Sequence, residues 1–187
     1  MSEQAMTAGL VLAAGAGTRF GGPKGLARDA DGVPWVARAV RMLQDAGCAP
    51  VLVAVGAAAD EVTALVPPGA QAVPVAAWTE GLSASVRAGL DSARASAAVA
   101  LLIVPVDTPD MPDAAVRRVL SHTRSDALVQ ATYNGRPGHP VLVGRDHWAA
   151  LTDDLTGDRG AGPFLRAHGG QRVECADLWS GEDIDVR

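Results

Sequence analysis

Apolar residues in this chain come in short unbroken runs that alternate with stretches of helical spacing. Ala8 to Ala13 is continuous and apolar and ends at glycines, the pattern of a strand buried on both faces of a parallel sheet. Val36, Ala39, Val40 and Leu43 then stand at i, i+3, i+4 and i+7, a helix closed by Gly47. Val51 to Val55 predicts a second strand, Ala58 to Leu65 a short helix broken by Pro67-Pro68, and Gln71 to Val75 a third strand. Val86, Leu90 and Ala93 mark the buried stripe of another helix, and Val99 to Val104 is the most apolar strand. A helix from Pro112 to His122 turns Ala115, Val116, Val119 and Leu120 inward. Leu128 to Thr132 and Val141 to Val143 flank Asn134-Gly135 and predict a hairpin, the one antiparallel pairing. Trp148 to Leu151 reads as a short helix and Val173 to Cys175 as a last strand. The βαβαβ alternation predicts an α/β fold with a mostly parallel sheet, one antiparallel strand or hairpin, and right-handed crossovers.

With 187 residues, 48% of them hydrophobic, the chain is expected to form one domain over 1–187. A domain of that size buries roughly 70% of its unfolded surface. A net charge of −5 and scattered arginines exclude a nucleic-acid groove, which needs a concentrated basic face. Any anionic ligand must therefore be met by local charge, and Arg19, Lys24 and Arg28 are the only charged residues between Thr7 and Arg28. Cys48 and Cys175 lie in no C-x-x-C or Cys/His array and read as reduced thiols of a cytoplasmic protein. Glu3 stands where a basic leader would begin. The apolar run from Ala97 to Val106 is well short of the ~18 residues of a membrane helix, so neither export nor insertion is expected.

The first apolar run leads into Gly15, Gly17, Gly21 and Gly22, where backbone N–H groups can approach and converge on an anion. Arg19 supplies a planar fork for phosphate oxygens and Lys24 a compact, mobile charge. Lys24 is also the only lysine among 16 Lys and Arg residues. Neither common glycine template fits. Phe20 occupies the third glycine of G-x-G-x-x-G, and Pro23 separates Gly22 from Lys24 in place of G-K-[ST].

Four later segments carry candidate chemistry. Ser83 can cap the helix it precedes or touch a ligand. Asp107 directly follows the most apolar strand and so lies at the same sheet edge as the glycine loop. A carboxylate facing phosphates there calls for a divalent cation, Mg²⁺ first, although Asp107 could instead cap the next helix. His139, held between Gly138 and Pro140, is either structural or substrate-facing. Gly157-Asp158-Arg159-Gly160 either borders a ligand or starts a helix.

Leu12-Ala13-Ala14-Gly15, Arg19-Phe20-Gly21 and Pro23-Lys24 resemble the L-x-x-G-x-x-x-R-[MF]-G-x-P-K signature of the MobA-like nucleotidyltransferases. Trp78-Thr79-Glu80-Gly81-Leu82-Ser83-Ala84-Ser85, Asp107-Thr108-Pro109, and Gly138-His139-Pro140 match further motifs of that family in order. The resemblance implies a three-layer Rossmann-like fold and Mg²⁺-dependent transfer of a nucleotide to a phosphate-bearing acceptor, with Mn²⁺ able to replace Mg²⁺. It assigns the nucleotide to Leu12, Ala13, Ala14, Gly15, Gly17, Arg19, Lys24 and Ser83, and the acceptor to His139. Asp107 becomes a metal ligand, and Asp185 of Asp183-Ile184-Asp185-Val186 a second one, against its alternative as part of a solvated acidic tail. Arg19, Lys24 and Asp107 carry catalysis. Ala14, glycine in the guanylyl branch, points to the cytidylyltransferase branch, hence CTP and the molybdenum cofactor, molybdopterin. GTP with the same acceptor comes second and a sugar phosphate or other small phosphate third. A nucleotide- or cofactor-binding chaperone without chemistry is the reading of another class: Val186 replaces the family's threonine and the chain stops at Arg187 without its closing helix, while intact Arg19, Lys24 and Asp107 oppose that reading. A molybdoenzyme is the kind of protein partner the resemblance implies.

Overall fold

The computed structural model describes residues 6–185, so Glu3, Val186 and Arg187 lie outside the described residues. Strand β1 (Thr7–Ala13) is buried at every position, as its uninterrupted apolar run requires. It pairs in parallel with β2 (Val51–Val55) on one side and β4 (Ala100–Pro105) on the other. β3 (Ala70–Pro74) continues the parallel sheet beyond β2. β6 (Arg136–Gly144) then enters antiparallel between β4 and β5 (Leu128–Tyr133), and β7 (Gln171–Glu174) closes the far edge parallel to β5. The seven strands thus run in the order β3-β2-β1-β4-β6-β5-β7.

Because successive side chains of a strand point to opposite faces, the sheet has two cores. Val11, Val53, Leu102 and Val104 pack on one face with α1 (Trp35–Asp45) and α4 (Asp113–Leu120). Leu10, Leu12, Leu52, Leu101 and Ile103 pack on the other. That second layer comprises α3 (Leu82–Arg94), α5 (Trp148–Asp154) and α6 (Gly162–Ala167). Helix α2 (Ala59–Thr63) adds Val62 to the first core. The result is the expected α/β arrangement, helix layers on both sides of a mostly parallel sheet.

The differences from the sequence reading are local. α2 ends at Thr63, and α3 has Gly81 rather than Ser83 at its N-cap, with no side-chain cap. Ser83 is already inside the helix and is 3% exposed, so it cannot serve as the cap. β6 begins at Arg136, five residues before Val141, which places Gly138-His139-Pro140, read as following the turn, inside the strand. Asn134 and Gly135 make the turn itself, with φ of 52° and 77° as a tight hairpin turn needs.

Strand order fixes where a ligand can sit. The chain runs outward from β1 to β2 and β3, then returns to place β4 on the other side of β1. The connections leaving β1 and β4 diverge at their carboxyl ends, opening the crevice in which open α/β sheets bind ligands.

Candidate active site

A cavity of about 870 Å³ occupies that crevice. Its volume lies in the range of sites for small molecules and cofactors. Leu12, Ala13, Ala14, Gly15, Gly17, Arg19, Lys24, Asp107, His139 and Asp185 all line it; Ser83 does not, and Ser85 lies there instead.

The glycine loop follows β1 and is tied to itself. The carbonyl of Gly17 accepts N–H bonds from Phe20, Gly21 and Gly22 at 3.0, 2.9 and 3.1 Å. Gly17 has φ of +59°, and a Cβ there would sit 2.0 Å from the Gly22 carbonyl oxygen, so conformation and contact both demand glycine. The sequence reading offered the N–H groups of all four glycines to an anion, but those of Gly21 and Gly22 are consumed by this knot. The N–H groups from Gly15 to Arg19 have no protein acceptor among the described residues, and it is these that remain available to phosphate. Phe20 anchors the loop, 6% exposed and with its ring 5.3 Å from that of Trp35.

Lys24 begins a single 3₁₀ turn just after Pro23 and reaches across the crevice. Its Nζ donates to Asp107 Oδ2 at 2.7 Å and to Asp185 Oδ1 at 2.8 Å. Burial disfavours the ammonium, but the two carboxylates outweigh it and hold Lys24 above the usual lysine value. Lys24, and more weakly Arg19, lower the Asp185 carboxyl in turn. Arg19 itself is 82% exposed and 3.7 Å from Asp185, a screened partner free to follow a ligand.

Asp107 stands just past β4, and Asp185 arrives on the segment after β7, which crosses back over the sheet edge until Ile184 N–H bonds the Asp107 carbonyl at 2.9 Å. This crossing also brings Asp183. Asp107, Asp183 and Asp185 offer carboxylate oxygens within 4.8 Å of one another. Three carboxylates against Lys24 and Arg19 leave one negative charge uncompensated, and Asp107 Oδ1 is buried without a hydrogen-bond partner among the described residues. An all-oxygen donor set with surplus negative charge fits a hard divalent cation. Asp183 escaped the sequence reading although it shares the D-x-D stretch with Asp185; alternation in an extended segment was the signal that could have found it.

His139 reaches the same edge because β6 runs antiparallel: the beginning of that strand lies beside the ends of its parallel neighbours. Its imidazole is held below the usual histidine value by burial, with the Asp107 and Asp183 carboxylates opposing. Trp78 and Asp158, from segments the sequence had singled out, also line the cavity, as do Gln130 and Trp179, which it had not. Asp158 lies against Gly81, and the Gly157 carbonyl accepts the Ser83 N–H at 3.0 Å, so this acidic loop borders the cleft ahead of α6.

The site agrees with what the chain resembles. A nicotine blue oxidoreductase of Paenarthrobacter nicotinovorans is 32% identical over 189 residues, 95% of this chain and 91% of that protein. A molybdenum cofactor guanylyltransferase of Rhodobacter capsulatus is 32% identical over 145 residues, 76% of this chain and 66% of that one. The crystal structure of Rv0371c from Mycobacterium tuberculosis superposes with a TM-score of 0.84 at 26% identity, covering 97% of this chain and 93% of the other. A structure of Rv0371c with manganese has the same fold, with a TM-score of 0.74 at 24% identity over 91% of this chain and 87% of that one. The MobA-like NTP transferase domain matches residues 9–173, from within the glycine-loop strand into β7. With the loop, the aspartate after β4 and the sheet order all in place, the chain belongs to the MobA-like NTP transferase family.

Proposed function

We propose that this chain, acting as one domain, is a divalent-metal-dependent nucleotidyltransferase that moves CMP from CTP onto the phosphate of molybdopterin or its molybdenum complex. The observation that carries the reading is the meeting of Lys24, Asp107 and Asp185 beside the available N–H groups of residues 15 to 19. An acceptor phosphate oxygen forms a bond to the α-phosphorus of the triphosphate, and the bond from that phosphorus to the bridging oxygen breaks, releasing pyrophosphate with the electron pair. A phosphate monoester needs no general base, so catalysis reduces to positioning and charge neutralisation.

The loop N–H groups bind phosphate oxygens, Arg19 follows the outer phosphates, and Lys24 meets the charge that builds on the leaving group. Asp107 and Asp185 would hold the cation, with Asp183 beside them. Bound there, Mg²⁺ or Mn²⁺ would neutralise phosphate charge and align the reacting oxygens. The manganese found with Rv0371c supports such a metal. His139, on the acceptor side, orients the incoming group. The cytidine preference rests on Ala14, which lines the cavity 3% exposed. The name of the Rhodobacter capsulatus relative favours GTP as the second reading. Two free, buried cysteines accord with action in the cytoplasm. Among the described residues no helix is long and apolar enough to cross a membrane.

The test is thermal unfolding with CTP, GTP, ATP, UTP and NADH, each with and without Mg²⁺ or Mn²⁺, followed by pyrophosphate release with molybdopterin. A ligand at 100 times its Kd adds ~2.7 kcal/mol, a shift of roughly 5–10 °C for a domain of this size. A metal-dependent shift with CTP is expected; a shift with GTP alone transfers the reading to guanylyl transfer. A shift with NADH alone would overturn it in favour of the redox chemistry named for the Paenarthrobacter relative. Triphosphate binding without pyrophosphate release would leave a nucleotide-binding chaperone.

A further inference from the structure

The segment that delivers Asp183 and Asp185 belongs to no helix or strand after β7, yet it ends in contact with the deepest charged groups of the site. Something other than backbone ladders must seat it. Tyr133, the last residue of β5, is 2% exposed, and its ring lies close against two glycines. A Cβ on Gly138 would lie 2.8 Å from the ring, and one on Gly181 2.3 Å from it. Gly181 also has φ of +79°. The Trp179 ring meets that of Tyr133 edge-on at 5.4 Å, and the Tyr133 hydroxyl donates to the His139 carbonyl at 2.6 Å. One aromatic ring therefore touches both Gly138 in the strand that carries His139 and the segment that carries the two aspartates.

We propose that Tyr133 and Gly181 form a lock that seats the acidic segment over Lys24 and Asp107, making Tyr133 a positioning residue for Asp183 and Asp185. Glycine at 181 lets the segment turn directly on the face of the ring, and the two aspartates follow within four residues. The glycine of Gly138-His139-Pro140 acquires a reason too, since a side chain there would collide with the ring that Gly181 also contacts. The lock rests on the metal reading above only for its consequence, not for its geometry.

Two measurements on the full-length protein separate these. Lys24 is the only lysine, so the rate at which an amine-directed reagent labels it, read by peptide mass spectrometry, reports whether Asp185 still covers it. Mn²⁺ binding, read by the loss of its free electron paramagnetic resonance signal, reports the carboxylates. Gly181→Ala is expected to raise Lys24 labelling about 3-fold or more and weaken Mn²⁺ binding about 10-fold, with circular dichroism unchanged. Tyr133→Phe, which keeps the ring, should leave both within about 2-fold, and Trp179→Ala should move both in the direction of Gly181→Ala. Unchanged labelling in folded Gly181→Ala and Trp179→Ala overturns the lock. Faster labelling with undiminished Mn²⁺ affinity overturns the positioning role. If labelling rises but the parent protein binds no Mn²⁺, the lock stands and the metal-dependent function falls.

Discussion

The two walls of the cleft are held by different means. On one side the glycine loop is tied chiefly by backbone, three N–H groups converging on the Gly17 carbonyl, with the Phe20 ring packed on Trp35. On the other, the segment from Leu178 to Asp185 is held largely by side chains: Tyr133 against Gly181, Trp179 against Tyr133, Lys24 against Asp185. Glu174 braces the start of that wall, its carboxylate accepting N–H bonds from Asn134 and Ala176 at 2.9 and 3.0 Å and from Gly135 at 3.1 Å. A wall tied by backbone needs particular glycines at fixed spacing, whereas a wall tied by side chains depends on which residues the fold brings together. Among the described residues Lys24 alone bridges the two through paired ions with both Asp107, just past β4, and the acidic segment.

Removing that bridge should have the largest effect. Lys24→Ala is expected to lower turnover by ~100-fold or more, the scale for losing one preorganised stabiliser. Pyrophosphate release measures it, and unchanged turnover would take the lysine out of the chemistry. Next in size is the backbone wall. Gly17→Ala forces a left-handed alanine against the Gly22 carbonyl and should cost about 1–3 kcal/mol in strain, visible as a lower unfolding midpoint. Gly15→Ala, where a Cβ meets nothing within 4 Å, should leave the midpoint in place. Equal effects from the two would deny the knot its role.

The smallest effect is one of pH, and it belongs to the side-chain wall. Desolvation pushes the carboxyl of the exposed Glu174 up, but its N–H donors and the Thr132 hydroxyl outweigh this and hold it below the usual glutamate value. A carboxyl lowered on folding contributes stability that is present above its unfolded pKa, near 4.3, and lost as pH falls through the folded value. Unfolding midpoints measured from about pH 6 down to 3 should therefore fall less steeply in Glu174→Gln than in the parent. Parallel curves would mean that the carboxylate does not brace the hairpin.

Sequence legibility follows the same divide. β1, the loop, α1 and β4 were readable because their apolar runs and glycine spacing are local properties, and Lys24 and Asp107 sit at fixed distances from those landmarks. Ser83 illustrates the opposite case. Its place in a familiar motif suggested a cap and a ligand contact, but Gly81 starts the helix and turns Ser83 inward and Ser85 to the cavity. Asp183, Trp179 and Gln130 reach the cavity from the C-terminal half of the chain, by a strand order that local pattern does not encode. Nor did the hairpin reveal how long β6 is. Prolines are rare inside strands, yet the sheet accepts Pro137 and Pro140, pairing Pro137 opposite Thr132 beside an irregularity in the β5–β6 register.

Lys24 serves two masters. Its ammonium balances Asp107 and Asp185, and in the proposed mechanism it is also the charge that meets the leaving phosphates. Whatever draws it toward phosphate uncovers two carboxylates and raises their appetite for a cation; by thermodynamic reciprocity, a cation that occupies the carboxylates releases the ammonium to the nucleotide by the same factor. On the proposed mechanism, order of addition would thus cease to matter at equilibrium, and each of the two charged ligands would tighten the hold on the other.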